Sequence, residues 1–341
     1  MLKTIRVATY NVALFGTEPG ETTGRLHAQN DPQIHDLLAI LTHANPDIVL
    51  INELDFDEAE SAARAFAQRL SGALPAHAAF RARAFTSNTG VPSGYDLTGS
   101  GSLDSPDNAQ GYGAFPGQYG FALLSRFPVT DVRSFGRFLW RDMPGARLPD
   151  AHPGSGQGDY FSPEAQAVLR LSSKNHVDAV VEVPGLGALH LLLSHPTPPV
   201  FDGPERRNAR RNADEIRLWA DYLDGADYLV DDDGRTGGLP PDAAFVILGD
   251  LNADPVRGDS LDGAVQQILH HVRVQDPRPM GAGGQNTAAF HGGMRVDYVL
   301  PANTLSVVDS RVCWFARRDP LAVLNRASDH YLVWIDLKVA A

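Results

Sequence analysis

The stretch Phe245–Pro255, FVILGDLNADP, restricts the possible folds of this chain more than any other. Phe245-Val246-Ile247-Leu248 reads as a buried strand. Gly249 lets another group approach the backbone closely. Asp250 and Asn252 stand two apart, so an extended chain puts both side chains on one face and Leu251 on the other. Pro255 bars a simple continuation of the strand. A carboxylate and an amide thus leave a strand end together, where α/β folds usually place ligand sites. The same residues suit an Asx turn that closes a core strand, and the stretch alone leaves both readings open.

Other strand-like runs end in the same kinds of residue. Val7–Tyr10 ends at Asn11, and Asp47–Ile51 delivers Asn52 and Glu53. Phe121–Ser125, Ala179–Val183, Leu189–Ser194, Val296–Leu300 and Leu332–Leu337 are further predicted strands. Asp31-Pro32 is an N-cap with proline at the first helical position, which opens a helix to about Ala44. Helices are also expected over Asp57–Leu70, from Pro204 to Leu223, and over Val265–His271, while residues 16–30 read as a polar loop. Alternating strands and helices point to α/β, with hairpin-like neighbours favouring mixed sheets. Two long irregular insertions, 86–118 and 140–162, interrupt the pattern, and loops of that length are usually functional or disordered.

Bulk composition narrows the function. The 341 residues carry a net charge of −12, which argues against a broad electrostatic footprint for nucleic acid. A metal-filled site supplies local positive charge, so nuclease chemistry stays open. Lysine occurs only at Lys3, Lys174 and Lys338, and arginine carries the rest of the basic chemistry. The single cysteine, Cys313, rules out an intramolecular disulfide or a CxxC site and reads as a small core hydrophobe. The N-terminus shows no apolar signal-peptide core, and no run of about 18 apolar residues spans a membrane. A cytoplasmic location is expected if the chain starts at Met1, and a secreted or periplasmic one if a leader has been removed. No protein partner is evident.

The strand ends together supply four carboxylates, two imidazoles and two amides. Converging carboxylates repel one another and do not all stay ionised without a cation among them. Hard oxygen ligands favour Mg²⁺, Mn²⁺ or Ca²⁺ over Zn²⁺. In order, Tyr10-Asn11, Asn52-Glu53, Ser194-His195-Pro196, Gly249-Asp250-Leu251-Asn252-Ala253, Arg295-Val296-Asp297-Tyr298 and Ser328-Asp329-His330 resemble the motifs of the endonuclease/exonuclease/phosphatase superfamily, the deoxyribonuclease-I-like fold. The resemblance spans residues 10–335 and implies a single domain over 1–341: a four-layered α/β/β/α sandwich with two mixed β-sheets face to face and helices outside.

The resemblance also implies roles. Glu53 resembles the main metal ligand, with Asn11 and Asp329 close to the ion. Asp250 and Asn252 resemble the pair that positions water and phosphate. His330 resembles the catalytic imidazole oriented by Asp297, and His195 the second histidine, on the scissile phosphate. The implied activity is divalent-metal-dependent hydrolysis of small phosphomonoesters or phosphodiesters by in-line attack of water. A divalent-cation-dependent nuclease is the alternative, and a non-catalytic binding module is a further one. Asn52 replaces the glutamine that many members carry before the glutamate. Ala13, where some nucleases are acidic or polar, weakens the case for a second metal and for the abasic-site subgroup. His195 favours the subgroups that keep a histidine there, namely secreted nucleases, sphingomyelinases and inositol-phosphate phosphatases.

Weaker candidates surround this set. Arg206, Arg207, Arg210 and Arg211 crowd the start of the helix after Pro204, either to clamp phosphate or to form a solvated face paired with Asp214 and Glu215. Lys174 and His176 suit phosphate contact or a surface turn. Asp96–Asp104 faintly resembles a Ca²⁺ loop, with oxygens at alternate positions and glycine at the sixth, or else is an ordered Gly/Ser loop. Asp231–Asp233 reads as a solvated turn. Trp140 either floors a pocket or packs its own insertion. No G-x-S-x-G elbow, Walker A pattern, H-E-x-x-H or G-x-G-x-x-G helix start is present.

Overall fold

The apolar runs become the central strands of two sheets. The computed structural model describes residues 3–74 and 79–340. The strands are β1 (Lys3–Leu14), β2 (Ile48–Leu54), β3 (Arg81–Ala84), β4 (Phe121–Ser125), β5 (Val129–Ser134), β6 (His176–Val183), β7 (Gly187–Ser194), β8 (Phe245–Asp250), β9 (Asp297–Pro301), β10 (Val307–Val312) and β11 (Val333–Val339). One sheet has the order β10-β11-β1-β2-β4-β3 and the other β5-β6-β7-β8-β9. β1 runs parallel to β2, and β7 to β8, while every other pairing is antiparallel, so both sheets are mixed.

Burial separates four layers. Val7, Leu50 and Leu123 of the first sheet pack with Leu191, Ile247 and Tyr298 of the second, and Ile216 and Trp219 of helix Arg207–Leu223 extend that core across the second sheet. Tyr10, Val49, Ile51 and Leu124, alternating with the inward set, pack under helices Pro32–Ala44 and Ser61–Ala73 through Leu37 and Phe66. Burial on both faces is why β2, β4, β7 and β8 are near-continuous apolar runs rather than alternating ones.

Three strands have no apolar run to announce them. β3, β5 and β10 are edge strands, and their sequences RARA, VTDVRS and VVDSRV expose every second or third residue. Edge strands tolerate charge because one side faces solvent. The polar loop expected over 16–30 contains a helix, Glu21–His27, which buries Thr22 and Leu26. The helix expected from Pro204 begins at Arg207, because Arg206 adopts a left-handed φ of 52°. The helix expected from Asp57 begins at Ser61, whose N–H donates to the Asp57 carboxylate at 3.2 Å. Cys313 is buried, as a core hydrophobe should be. No helix among the described residues is long and apolar enough to cross a membrane.

Candidate active site

Strand register brings the motif residues together. Parallel β1 and β2 pair Asn11 with Asn52, which sets Asn11 and Glu53 at the same level near one end of the sheet. Antiparallel β11 pairs Val333 with Thr9, which returns Ser328-Asp329-His330 to the same end. In the second sheet, parallel β7 and β8 align Leu193 with Leu248, and antiparallel β9 sets Asp297 opposite Asp250. Sheet stacking then faces β1 with β8 and β9. Gly249 is the close approach its sequence position predicts: a Cβ there would lie 1.9 Å from Ser194 O, and its φ is 154°. Gly249→Ala is expected to separate β7 from β8 and displace His195 from Asp250. Its cost should be roughly 1–3 kcal/mol, the usual range for overpacking, read as a lower urea midpoint together with lost turnover.

Asp250 is the hub. Its Oδ2 accepts from Asn11 Nδ2 at 3.0 Å and lies 3.5 Å from His195 Nε2 and 3.7 Å from His330 Nε2. Its Oδ1 accepts from the Asn252 backbone N–H at 2.9 Å. Asn11 Nδ2 also donates to Glu53 Oε1 at 2.9 Å, so one amide bridges two carboxylates. The Asn11 oxygen accepts from Ala13 N at 3.1 Å. Asn252 Nδ2 donates to Pro196 O at 3.1 Å, which ties the segment after His195 to the end of β8. His330 Nδ1 donates to Asp297 Oδ2 at 2.9 Å. This bond leaves Nε2 pointing to Asp250. Glu53 and Asn252 both have left-handed backbones, with φ of 57° and 53°, an uncommon conformation that collects at functional sites.

Burial dominates the electrostatics. It raises the Asp250 carboxyl to about 7, with His330 opposing the rise and Asp297 adding to it. Burial opposes charge on His330 too, but Asp297 and Asp250 outweigh it and push the imidazole up to about 10. The proton of this group therefore sits on His330 near neutral pH. Burial also raises Glu53, against the Asn11 hydrogen bond and the charge of His330. His195 goes the other way, held well below the usual histidine range by burial, Lys174 and His330.

The residues fit a divalent cation. Glu53, His195 and Asp250 each offer a ligand atom within 4.8 Å of the others, and Asp250, Asp297 and His330 form a second such group. Two carboxylates that resist ionisation, Asp250 buried and Glu53 half-buried, gain most from a cation placed between them. Buried atoms without a partner, His195 Nδ1 and Asp297 Oδ1, lie in the same cluster. Asp329 is exposed beside it, and its charge reaches both Glu53 and His330.

The other candidates divide. Lys174 is 6% exposed and lines a cavity of about 560 Å³ that opens beside Glu53. Arg207 and Arg211 also line it. Arg211 donates to the carbonyls of Leu171, Gln110 and Arg170, and Arg207 to Leu97 O and Asp107. Arg210 donates to Leu148 O and Asp150. Arg206 donates to Asp259 O. The arginine cluster thus fastens loops rather than standing free. Nor are Asp214 and Glu215 a solvated face, for both are fully buried. Asp214 accepts from Trp140 Nε1 and Arg147 N, while Glu215 accepts from Ser173 N and Thr197 N. Trp140 therefore both packs its insertion and lines the cavity. Sequence reasoning gave no role to Tyr112, Tyr119 or Phe161, which also line it, and no spacing marks them.

His176 does not reach a phosphate. Its Nε2 donates to Glu215 O at 2.8 Å and its Nδ1 accepts from Ser172 Oγ at 2.7 Å, so no ring nitrogen is left. Burial lowers this imidazole to about 4, against the pull of Glu215. The unfolded chain, with a histidine near 6.5, binds more protons between these values, so stability is full above about 6.5 and falls toward 4. The expected loss is on the order of 3 kcal/mol. Urea unfolding of the wild type and His176→Gln across this range should show a steeper pH dependence for the wild type. Asp96–Asp104 is a self-capped turn, not an open Ca²⁺ loop. Both Asp96 oxygens accept backbone N–H groups, from Thr98, Ser100 and Gly101, which lowers the carboxyl to about 2. Nor is 231–233 a simple solvated turn: Asp231 is buried and pairs with Arg133 at 2.8 Å.

Two facing mixed sheets gather acids and imidazoles at one end. The chain belongs to the Endonuclease/Exonuclease/phosphatase family, whose profile matches residues 8–330. This is a family of metal-dependent phosphoesterases and nucleases. No curated protein matches the chain significantly. Among solved structures, an endonuclease/exonuclease/phosphatase from Beutenbergia cavernae is 19% identical, with a TM-score of 0.56 over 99% of this chain and 72% of that one. A 3′-5′ exonuclease from Neisseria meningitidis is 15% identical, TM-score 0.52, covering 98% of this chain and 100% of that one. Sphingomyelinase C from Streptomyces griseocarneus is 18% identical, TM-score 0.50, covering 98% and 99%. At these identities the likeness concerns the fold.

Proposed function

We propose that the protein is a divalent-metal-dependent phosphoesterase acting on small phosphate esters, with water as the nucleophile. The observation that carries this reading is the concave cavity of about 560 Å³ that opens beside Glu53 and is walled by both insertions. A concave pocket of that size suits a small ligand, whereas duplex recognition calls for a broad basic surface, which a chain of net charge −12 does not favour.

Glu53 and Asp250, with His195 beside them, would hold the cation, and Asn11 bridges the two carboxylates. A bound divalent cation neutralises phosphate charge and stabilises the leaving oxygen. Asp250 takes a proton from the attacking water. His330, kept protonated by Asp297, presents a charged N–H to the phosphate. His195, kept neutral by burial, donates one hydrogen bond without adding charge. Asn252 anchors the loop on which His195 sits. Proton transfer by such groups is typically worth ~10²–10⁴-fold.

Turnover of a panel of phosphomonoesters and phosphodiesters, with and without chelator and then with Mg²⁺, Mn²⁺ or Ca²⁺, tests the reading. Strong small-ester turnover abolished by chelator, beside no plasmid cleavage, is the expected result. Plasmid degradation exceeding small-ester turnover would favour the nuclease alternative.

A further inference from the structure

We propose that the cavity beside Glu53 takes phosphate esters whose organic part is apolar, an alkyl chain or an aryl ring, and disfavours nucleotides and sugar phosphates. This inference rests on the phosphoesterase reading and names its substrate class.

The chemistry of the cavity is divided along its length. At one end stand Glu53 and Lys174. The Lys174 ammonium makes no hydrogen bond or ion pair among the described residues, although the side chain is 94% buried by its 6% exposure. It feels Glu215, Glu53 and Asp250 only at a distance, and burial depresses its pKa. A cation that faces the cavity without a partner among the described residues, beside these carboxylates, is suited to a phosphate oxygen.

Beyond that end the walls are apolar. Leu97 and Ala109 come from the first insertion, Trp140 and Phe161 from the second, and Leu169 follows it. All five are buried in the structure. Several polar neighbours are already committed. Trp140 Nε1 donates to Asp214, Ser173 Oγ to Glu215, Asn208 Nδ2 to Val200 O, and Arg211 to three carbonyls. Thr197 Oγ1, on the same wall, has no partner, but most sugar hydroxyls or base edges entering here would lose more water contacts than this one group returns, which is costly.

The mouth repeats the pattern. Tyr112 is 59% exposed and Phe201 94% exposed, and both line the cavity. Phe201 holds a left-handed φ of 58°, uncommon for a bulky residue. An apolar group running from Lys174 past Trp140 would cover both rings as it leaves. In the reaction water bonds to phosphorus and the P–O bond to the leaving group breaks, so the apolar part is held whether it leaves or stays.

A series sharing one leaving group tests this: methyl, butyl and octyl 4-nitrophenyl phosphate, and the 4-nitrophenyl ester of thymidine 5′-phosphate. Each releases 4-nitrophenolate as water adds to phosphorus. The expected result is a kcat/KM that rises roughly 30-fold or more from methyl to octyl, since each fully buried methylene is worth roughly a factor of four. The thymidine ester should fall below the octyl ester. In Phe201→Ala the octyl-to-methyl ratio should drop by roughly fivefold, from lost apolar burial at an exposed position where folding is not at stake. Calorimetric titration of octyl phosphate against methyl phosphate supplies a readout independent of turnover, with a negative heat-capacity change as the mark of apolar burial. Turnover with no chain-length preference, or a preference for the thymidine ester, overturns the inference and leaves the phosphoesterase reading standing. Tight octyl phosphate binding without turnover under any of the three metals upholds the pocket and overturns the phosphoesterase reading. Neither binding nor turnover overturns both.

Discussion

His330→Ala should lower kcat by roughly 10²–10⁴-fold while KM changes little, because the lost interaction strengthens in the transition state. The imidazole is buried, its Nδ1 donates to Asp297 at 2.9 Å, and its Nε2 lies 3.7 Å from Asp250. Asp297→Asn should cost less and should move the basic limb of the pH profile. The sign is fixed by the geometry: the Asp297 and Asp250 charges hold the imidazole up to about 10 against burial. Activity that needs the imidazolium is present below that value and lost as pH rises through it. Removing the Asp297 charge lowers the folded-state pKa, so the loss begins at lower pH. Unchanged turnover in His330→Ala at saturating metal would sink the proposed mechanism.

Asp250→Asn should also cost roughly 10²-fold or more in turnover, because it removes both the proton acceptor and a cation ligand. Its effect on stability should be small by comparison. Burial and the nearby Asp297 charge raise the Asp250 carboxyl to about 7, which means that the folded protein carries this charge at a cost. An asparagine keeps a single oxygen, so it retains only one of the two hydrogen bonds the carboxylate accepts, from Asn11 at Oδ2 or from the Asn252 N–H at Oδ1, and sets its own NH₂ against the other donor. Relief of the buried charge and loss of one hydrogen bond, worth roughly 0.5–1.5 kcal/mol, oppose each other, so thermal unfolding in chelator should leave the variant within about 1 kcal/mol of wild type. A clearly less stable variant would indicate that Asp250 is a structural residue.

The centre was legible in the sequence because its residues sit at the ends of buried strands. The apolar run before each marks the strand, and the pleat places the polar residue that follows it on one face. Asp250 closes β8 and Glu53 lies next to the end of β2, whereas β1 continues past Asn11 to Leu14, beyond the end the sequence suggests. Their convergence follows from pairings that deliver each strand end to one edge, such as Asn11 with Asn52 and Asp250 with Asp297. Gly249 belongs with them, since only a residue without Cβ admits the Ser194 carbonyl.

The arginines and His176 were less readable for a physical reason. Charge at the start of a helix is the same in sequence whether it meets a phosphate or a carbonyl. Arg210 and Arg211 meet carbonyls because the insertions fold back over helix Arg207–Leu223 and leave backbone acceptors to satisfy there. His176 opens β6, and only the fold places Ser172 and the Glu215 carbonyl on its two nitrogens.

The sequence by itself determined the central strands, the helix that Asp31 and Pro32 begin, and the acids, amides and imidazoles presented at strand ends. Period, propensity and capping are local, and they were enough. The tertiary structure alone decided the edge strands β3, β5 and β10, whose half-exposed residues resemble loops until a neighbour pairs with them. It also decided the cavity. Leu97, Trp140, Phe161 and Lys174 are up to 77 positions apart, and nothing local marks them as one wall. A shared pocket depends on how long loops pack, and that is settled by contacts at long sequence separation.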